Sequence, residues 1–472
     1  MTKPLNLVWI RRDMRLHDHR ALAAALKEEG DIQPVFVFDT DILARFDNPE
    51  DRRITFLAEI LFDMHQTLQK RGGGMLVLYG KAEAIIPKLC HSLSATRLIA
   101  ARDVEPATQA RDHAVRQAIQ KTCSMEVAED HLILFPERVL KDDGSPYAVF
   151  TPYSKRWHKT LQEADYQEAR VNDKDRYADF KSLVKQAKAV GLHVVSMDSV
   201  AAIVKDIGYR VADIGEWKVG GGKKRLALFM KNTVSQYKDT RNFPGVEGTS
   251  KLSPYLRFGV ISIRECLRAA LSHAASETWV TELIWRDFYA MVLFHYPDIV
   301  DMEYQKKYRK ALGWNDSKKD FQRWAEGQTG YPFIDAAMRQ LRQTGWMHNR
   351  ARMVVASFLT KDLQIDWRKG EEHFAQFLMD YDLASNNGGW QWSASTGTDA
   401  QPWFRIFNPI EQSKKFDPKG EYIRLYVPEL KELALKDIHA PWKAKTKADY
   451  PEPMVDHDAM RKKTLAMFKA VR

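Results

Sequence analysis

The chain has 472 residues, more than one hydrophobic core usually covers, so the sequence predicts two or more domains. Lys and Arg outnumber Asp and Glu by 72 to 62, and the resulting net charge of +10 favours a polyanionic partner. The three cysteines form no CxxC pair, no apolar run approaches the roughly 18 residues of a membrane span, and Met1-Thr2-Lys3-Pro4 opens no signal peptide. These features argue against disulfides, metal–thiolate sites and membrane insertion. They predict buried cysteines and a cytoplasmic location.

The N-terminal part alternates apolar runs of strand length with stretches of helical period. The predicted strands are Leu5 to Ile10, Gln33 to Phe38, Met75 to Tyr79, Arg97 to Ala101 and Met125 to Ala128. The predicted helices are Arg20 to Glu28, Ile54 to Arg71, Glu83 to Leu93 and Thr108 to Thr122. This order predicts an α/β domain over residues 1–132, built on a doubly wound parallel sheet. Because no GxGxxG follows the first strand, a standard dinucleotide site is not expected.

Residues 133–198 are polar and charge-rich, and they predict an interdomain connector with short helices. Beyond this connector strand signals nearly vanish, and Gly220-Gly221-Gly222 predicts a loop. Helical periodicity marks Thr278 to His295, Tyr331 to Thr344, His348 to Ile365 and Glu371 to Met379. Residues 199–472 are therefore predicted to form a large all-α domain.

One predicted helix carries four polar and aromatic side chains at helical spacing. Glu282, Trp285, Arg286 and Tyr289 fall at i, i+3, i+4 and i+7 and should share one face. A carboxylate, an indole, a guanidinium and a phenol on one face suit a pocket for a flat polar ligand. The alternative is a buried Glu–Arg pair beside core aromatics.

Two further segments combine amides with large soft side chains. Asn349 and Met353 lie at i, i+4, which suits a base-sized ligand, although plain core filling is the commoner role of a methionine. Trp390 and Trp392 lie about 200° apart on a helix, so one can face a buried cofactor while the other lines an open pocket. The alternative for this pair is a glycine-interrupted turn with two core aromatics.

Taken in order, these segments resemble the photolyase/cryptochrome family, and they are most similar to the class I photolyases of cyclobutane pyrimidine dimers (CPDs). The likeness runs nearly end to end. Its densest parts are Val246 to Ser253, Glu282 to Tyr289, Trp346 to Met353, Asp380 to Thr398 and Phe404 to Pro409, and Trp9 to Asp18 matches the family's opening strand and turn. The resemblance implies an antenna chromophore in the α/β domain and an FAD, active in its reduced form, in the helical domain.

The resemblance also implies which residues hold the FAD. They are Tyr237, Thr249, Ser250, Lys251, Leu252, Ser253, Arg286, Arg352, Asp380, Tyr381, Asp382 and Asn386. Asn386 is implied to lie beside flavin N5, where an amide can donate or accept a hydrogen bond without ionising.

The implied activity is repair of ultraviolet-damaged DNA, in which light drives an electron from reduced FAD to a flipped-out CPD and back. Contacts to the lesion and to DNA are implied for Arg241, Glu282, Trp285, Tyr289, Asn349, Arg350, Met353, Trp392, Arg405 and Gln412. Trp390, Trp367 and Trp314 match the family's chain of oxidisable tryptophans, which restores reduced FAD under light. Glu282, Asn349 and Asn386 complete the set implied in catalysis, and the enzyme is expected to act as a monomer.

The antenna chromophore stays open. Ala107 and Thr108 stand where relatives that bind methenyltetrahydrofolate have an Asn-Glu pair. Val104-Glu105-Pro106 is nearer to relatives that hold a deazaflavin, so a deazaflavin-type chromophore is favoured over the folate.

Three other functions fit the sequence less well than CPD repair. A cryptochrome is disfavoured because Glu282, Met353, Asn386 and Trp392 match repair enzymes and because only about 50 residues follow Gly420. An enzyme for the pyrimidine (6-4) product would need a histidine pair in its pocket, where this chain has His348-Asn349. A flavin electron carrier without a nucleic-acid partner does not account for the basic charge balance.

Overall fold

We describe the protein from a computed structural model, which places residues 3–174, 176–445 and 448–471. The chain packs into two compact units, each assembled from separate stretches of sequence. The first comprises Met1–Val139, Trp157–Met230 and Lys251–Ala274, and the second comprises Leu140–Arg156, Lys231–Ser250 and Ala275–Arg472. The sequence predicts domain boundaries at residues 132 and 198. These boundaries stay a prediction.

The first unit is built on a sheet of six strands in the order β5-β4-β1-β2-β3-β6. The strands are β1 Leu5–Trp9, β2 Asp31–Asp39, β3 Leu76–Gly80, β4 Arg97–Ala101, β5 Ser124–Ala128 and β6 His193–Val194. Strands β1 to β5 pair in parallel, which confirms the predicted sheet. Because the strand order reverses at β1, the connecting helices fall on both faces, and a crevice for a ligand opens where β1 and β4 end.

The helices up to residue 271 are α1 Arg20–Lys27, α2 Thr40–Leu43, α3 Arg52–Gln69, α4 Ala82–Ser92, α5 Pro106–Ile119, α6 Phe150–Thr160, α7 Glu163–Tyr166, α8 Phe180–Ala189, α9 Val200–Asp206, α10 Gly221–Asn232, α11 Tyr237–Thr240, α12 Ser253–Phe258 and α13 Ile263–Leu271. The later helices are α14 Glu277–His295, α15 Lys318–Ala325, α16 Pro332–Thr344, α17 Asn349–Ser357, α18 Trp367–Phe377, α19 Leu383–Ala394, α20 Pro409–Phe416, α21 Glu421–Tyr426 and α22 His457–Lys469.

Two local predictions were wrong. The segment predicted as a connector also supplies β6, which pairs antiparallel with the edge strand β3; a strand of two residues leaves no periodic signal. Gly221 and Gly222 begin α10 instead of continuing a loop. The reason is close packing, since a Cβ on Gly221 would lie 2.2 Å from the hydroxyl oxygen of Tyr255.

The second unit is helical, as predicted, and its long helices match the predicted segments to within a few residues. The exception is the predicted helix from His348 to Ile365, which ends as an α-helix at Ser357 and continues as a π-helical segment over Phe358–Asp362. Helices α14 and α19 meet closely at Gly388, where a Cβ would lie 2.1 Å from Cδ1 of Tyr289. This contact sets two helices that carry seven of the predicted site residues side by side.

The three cysteines, Cys90, Cys123 and Cys266, are free and buried, as predicted. Among the residues that the structure describes, none of the helices is long and apolar enough to cross a membrane. Within the same residues, no group of three or more His, Cys, Asp or Glu side chains is arranged to hold a metal ion.

Candidate functional site

Helix α14 presents its predicted polar face as expected from the spacing. Glu282, Trp285, Arg286 and Tyr289 are each partly exposed, whereas Leu283 and other residues of the opposite face are buried. The face therefore has an apolar backing and a row of polar and aromatic groups that a ligand can reach.

Glu282 forms an ion pair with Arg241, whose guanidinium also lies over the Tyr237 ring at 5.7 Å. Burial raises the pKa of Glu282 above its ordinary value, and the positive charge of Arg241 opposes that rise. Burial and the Arg241 charge thus act on this carboxyl group in opposite directions. The alternative of a buried pair between Glu282 and Arg286 is not what forms, because Arg241 takes the carboxylate.

Trp285 is covered on one face by an aromatic ring that no sequence motif predicts. The Phe150 ring lies parallel to the indole, with centroids 3.6 Å apart and 3° between the planes. Tyr289 lies beside the same indole at 5.5 Å. Phe150 is far away in the sequence and belongs to no motif, so no local pattern could have identified it.

Asn349 and Met353 approach each other on α17 as the i, i+4 spacing predicts, with Nδ2 donating to Sδ at 3.9 Å. Asn349 is exposed and Met353 is partly exposed. Met353 is therefore not a plain core residue. The adjacent Arg350 donates to Oδ1 of Asn242 at 2.7 Å and lies over the Phe416 ring at 4.3 Å, so its stem is anchored.

Helix α19 begins at an N-cap, Asp382, whose side chain accepts from the backbone N–H of Ser385. One turn later, Nδ2 of Asn386 donates to two oxygens of Glu371: the backbone oxygen at 3.1 Å and Oε1 at 2.8 Å. Two acceptors on one side fix the orientation of the amide. Oδ1 of Asn386 is consequently turned away from Glu371, and it accepts no hydrogen bond from the described part of the chain.

Glu371 is a site residue that the sequence interpretation missed. Burial raises its pKa to about 7, while hydrogen bonds from Asn386 and Tyr381 oppose the rise. We call Asn386, Glu371 and Tyr381 the amide cluster. The available signal was its spacing on α18, since Glu371 follows Trp367 by four residues and so lies on the same helix face.

Arg352 and Asp380 form an ion pair, with Nη2 donating at 2.8 Å to Oδ2. Nε of Arg352 also donates to the Met347 backbone oxygen at 2.8 Å, which fixes the plane of the guanidinium. Asp380 is buried and Arg352 is partly exposed, so the buried carboxylate holds the guanidinium in place where a ligand can reach it. A guanidinium group held in one orientation can bind a planar polar group.

The segment from Thr249 to Ser253, predicted to contact the FAD, is divided between the two units. Thr249 and Ser250 belong to the second unit and are partly exposed. Lys251 to Ser253 belong to the first unit, where Lys251 pairs with Glu216 at 3.5 Å and Ser253 begins α12.

The two tryptophans of α19 have different surroundings. Trp390 is 2% exposed, and its ring contacts Trp324 at 6.1 Å and Phe374 at 5.0 Å. Trp392 is partly exposed, and no aromatic side chain of the described residues stacks on it. Both indoles lie on a helix, not in a turn, and only Trp390 is buried. That Trp390 faces a cofactor while Trp392 lines an open pocket stays a prediction.

Trp390 reaches α18 at Gly370, where a Cβ would lie 2.2 Å from Cη2 of the indole. Gly370 is one turn from Trp367 on the same helix, so Trp390 and Trp367 lie at neighbouring turns of one interface. Trp367 is fully buried, and Trp314 is partly buried at the margin of the same core. This arrangement leads from the interior towards the surface.

Arg405 and Gln412 both follow α19 in the chain. Arg405 precedes α20, and Gln412 lies within it. Arg405 is exposed, and its side chain has no ion pair with a residue between 3 and 174, 176 and 445, or 448 and 471. Gln412 lies on α20 with its Oε1 buried and without a partner among those residues. A free guanidinium and an unused acceptor are both available to a ligand.

In the first unit, charged residues gather at the carboxyl ends of the strands. The guanidinium groups of Arg11 and Arg111 each lie over the Trp9 ring, at 5.0 Å and 4.7 Å from its centroid. Arg12 pairs with Asp103 at 3.3 Å and with Glu105 at 3.1 Å. The positive charge of Arg12 holds the pKa of Asp103 below its ordinary value, against the effect of burial. The carboxyl ends of β1 and β4 are therefore surrounded by charged side chains, with the buried Trp9 ring behind them.

The α19 face around Asn386 fits the edge of a flavin. Oδ1 of Asn386 is an open acceptor, and Gly389, one turn later, has nothing within 4 Å of where its Cβ would be. A flat ligand can therefore lie against this turn without a steric conflict. Reduced flavin carries a hydrogen at N5, and the orientation of the amide presents an acceptor to such a donor.

Comparisons with known proteins give matches over nearly the whole chain. A family model described as DNA photolyase matches residues 6–171, and one described as the FAD binding domain of DNA photolyase matches residues 279–470. A deoxyribodipyrimidine photo-lyase from Alkalihalophilus pseudofirmus is 39% identical over 98% of this chain and 98% of its own length. A class III photolyase structure from Agrobacterium tumefaciens has a TM-score of 0.84 at 34% identity, covering 100% of this chain and 98% of its own. The structure of an archaeal photolyase from Sulfolobus tokodaii with two FAD molecules has a TM-score of 0.81 at 30% identity, covering 98% of this chain and 99% of its own.

Proposed function

Because the chain belongs to the DNA photolyase family, we propose that the polar face of α14, together with α17 and α19, is where it repairs damaged DNA. The chain is a light-dependent DNA-repair lyase that splits CPDs, and it binds FAD. When bound, reduced FAD supplies the electron that opens the dimer and takes it back afterwards. The contributions of the chain itself are to hold the cofactor, position the lesion and exclude competing reactions.

The observation that carries the proposed cofactor site is the fixed amide of Asn386. Its Nδ2 is committed to Glu371, so only Oδ1 is available to the flavin. Arg352, held by Asp380, supplies a rigid guanidinium to the polar edge of the ring system. We assign the remaining cofactor contacts to Tyr237, Thr249, Ser250, Lys251, Leu252, Ser253, Arg286, Tyr381 and Asp382.

We call Glu282, Trp285, Asn349, Met353 and Trp392 the lesion face. The two indoles stack on the bases of the flipped dimer, a contact worth about 1–3 kcal/mol per base in single-strand binders. Glu282, with its raised pKa, hydrogen-bonds the carbonyl and N–H edges of the pyrimidines. Flipping costs a few kcal/mol and costs least where pairing is already damaged, so selectivity begins before the chemistry.

Four side chains are proposed to hold the DNA strand outside the lesion face: Arg241, Arg350, Arg405 and Gln412. Arg405 is exposed and unpaired among the residues placed in the structure, so its charge is ready for a phosphate. Arg241 is paired with Glu282, so a phosphate that binds it must compete with that carboxylate. These contacts fix the position of the strand without reading its sequence.

Trp390, Trp367 and Trp314 are proposed to carry electrons from the surface to the cofactor. The contact of Trp390 with α18 at Gly370 supports the first step, and the burial of Trp367 protects the second from water. Trp314 is partly exposed, which suits the end of the chain.

We further propose that the charged crevice around Trp9 holds a second chromophore of the deazaflavin type. The Sulfolobus tokodaii relative, whose structure has two FAD molecules, supports a second flavin-like ligand over a folate. Ala107 is exposed and Thr108 is partly exposed, and neither side chain can supply the amide and carboxylate of the folate-binding pair. We also propose that the enzyme works as a monomer in the cytoplasm.

The test is to purify the protein, record its absorption spectrum and follow thymine dimers in an oligonucleotide under blue light after chemical reduction. We expect a flavin spectrum, a further band from the second chromophore, and light-dependent loss of dimers. Equal loss of dimers in darkness would contradict the repair function. A flavin spectrum without any further band would contradict only the second chromophore.

A further inference from the structure

Phe150 makes an unusually complete contact with Trp285. Aromatic pairs usually meet in offset or edge-to-face arrangements with centroids about 4.5–7 Å apart. Here the centroids are 3.6 Å apart and the planes are 3° from parallel, so the phenyl ring covers one face of the indole. Because face-to-face overlap is not the arrangement that the rings themselves prefer, the surrounding structure must hold it.

The turn that follows α19 holds Phe150 in place. Its backbone N–H donates to Oδ2 of Asp399 at 3.1 Å. The Asp399 backbone N–H donates to the Ala148 oxygen at 3.1 Å, and the Thr398 hydroxyl donates to the same oxygen at 2.6 Å. Residues 398 and 399 lie shortly after Trp392 in the chain. The backing of Trp285 is thereby connected to the helix that carries Trp392.

The other aromatic neighbours of Trp285 meet it edge-on or at a tilt. Phe288 meets the indole edge-on at 5.5 Å and meets Phe150 edge-on at 5.7 Å. Tyr289 lies beside the indole with 31° between the planes. In the part of the chain that the structure describes, no other aromatic ring contacts Trp285, which stays partly exposed.

We propose that Phe150 is a positioning residue of the lesion face: it covers one face of Trp285, so the flipped dimer stacks on the opposite face only. Thr398 and Asp399 set its position. This inference rests on the proposed role of Trp285 in binding the lesion. A ring clamped behind the indole removes its alternative orientations before DNA arrives, so less order has to be imposed on binding.

The experiment uses the FAD-loaded enzyme with Phe150→Leu and measures dissociation constants for DNA with and without a thymine dimer. We expect affinity for dimer DNA to fall by about 3- to 10-fold, the range that corresponds to one aromatic pair. Affinity for undamaged DNA and repair per absorbed photon at saturating DNA should stay unchanged. Phe150→Met, which has a similar volume in a longer and more flexible side chain without a ring, replaces the leucine variant if that variant loses FAD.

The matched control is Tyr153→Leu. Tyr153 lies on the same helix, is fully buried and packs edge-on against Phe288 at 5.1 Å, but it does not stack on Trp285. It therefore reports the general cost of losing a buried ring near the lesion face. An equal loss of dimer affinity in the two variants would overturn the proposal.

A double-mutant cycle with Trp285→Ala shows whether Phe150 acts through the indole. In the Trp285→Ala background, Phe150→Leu should have no further effect on dimer affinity. A full additional loss would overturn the positioning role while leaving the role of Trp285 intact. If Trp285→Ala alone leaves dimer affinity unchanged, the proposed role of Trp285 fails, and this inference fails with it.

Discussion

The amide cluster and the lesion face each contain a half-buried carboxyl group with a raised pKa, but the partners differ. Glu371 faces the amide of Asn386 and the side chain of Tyr381, which are neutral. Glu282 faces the guanidinium of Arg241. Neither Asn386 nor Tyr381 adds a charge of its own beside the proposed cofactor site, where a charge would alter the flavin's electronics. A charged partner on the lesion face can exchange a carboxylate for a phosphate when DNA binds.

The indoles of α19 divide in the same way. Trp390 is enclosed between helices, where a rigid, dry environment keeps an oxidisable ring in place, whereas Trp392 keeps a surface on which a base can stack. The proposed roles of these two residues in two regions are compatible with one helix because i, i+2 positions point in nearly opposite directions. If the two regions act independently, a substitution in one should leave the function of the other unchanged.

The largest effect is expected for Trp390→Phe. The phenyl ring keeps most of the packing but is much harder to oxidise, so light-driven reduction of oxidised FAD should fall by about tenfold or more. Repair by chemically reduced enzyme should persist, because the lesion takes no electron from Trp390. The measurement is the loss of flavin absorbance under light with an external reductant, followed by a repair assay.

Trp324→Phe is the control for Trp390→Phe, since Trp324 touches Trp390 at 6.1 Å without belonging to the proposed chain. It should reduce FAD under light at nearly the original rate. Equal losses in both variants, or loss of repair by pre-reduced Trp390→Phe enzyme, would contradict the separation of the two regions.

Gly370→Ala tests the same region through its packing. The new Cβ would lie 2.2 Å from the Trp390 ring, in a helix that cannot yield, so the indole must shift. We expect a loss of about 2–3 kcal/mol of unfolding free energy, at the upper end of the range for overpacking, together with slower light-driven reduction. Denaturant unfolding and the photoreduction assay measure the two effects.

Gly313→Ala is the matched control for Gly370→Ala. It adds the same methyl group beside Trp314, in a place with nothing within 4 Å. It should leave both measurements unchanged. Normal photoreduction in a destabilised Gly370→Ala enzyme would show that the position of Trp390 does not limit electron supply.

The third prediction concerns Trp392→Ala on the lesion face. Removing the indole should weaken binding of dimer-containing DNA by about 1–3 kcal/mol, as for other stacking residues. Light-driven reduction of FAD should stay as fast as in the unmodified enzyme. Titration of a dimer-containing oligonucleotide measures the first effect, and a slower photoreduction would mean that Trp392 also belongs to the electron path.

Features that depend on residues close together in the chain could be predicted from the sequence, whereas features that depend on contacts between distant segments could not. The face of α14 and the division between Trp390 and Trp392 depend on helical spacing, so both were readable from local pattern. The pairings of Asn386 with Glu371 and of Phe150 with Trp285 depend on tertiary contacts between distant segments. The missed β6 strand and the helical Gly221 have the same cause, because each is stabilised by a neighbour that is remote in sequence.

The last substitution, Glu371→Gln, is expected to change the pH dependence of stability rather than activity, and it sharpens the contrast between the two carboxyl groups. The pKa of Glu371 rises from an ordinary value of 4.5 to about 7 in the folded protein. Between these two values the folded state binds more protons than the unfolded state, so the stability contributed by this group is lost as pH rises from 4.5 to 7. One such group can change stability by at most about 1.4 kcal/mol per pH unit.

Glutamine keeps the shape and cannot ionise, so the variant should lose this part of the pH dependence and gain relative stability towards neutral pH. Unfolding free energies of both proteins at several pH values between 4.5 and 7.5 give the difference, in which other titrating groups cancel. Glu282→Gln serves as the comparison, since it removes the partner of Arg241 and should change DNA affinity as well. If the Glu371→Gln difference does not vary with pH, Glu371 is ionised in the folded protein and the amide cluster carries a charge after all.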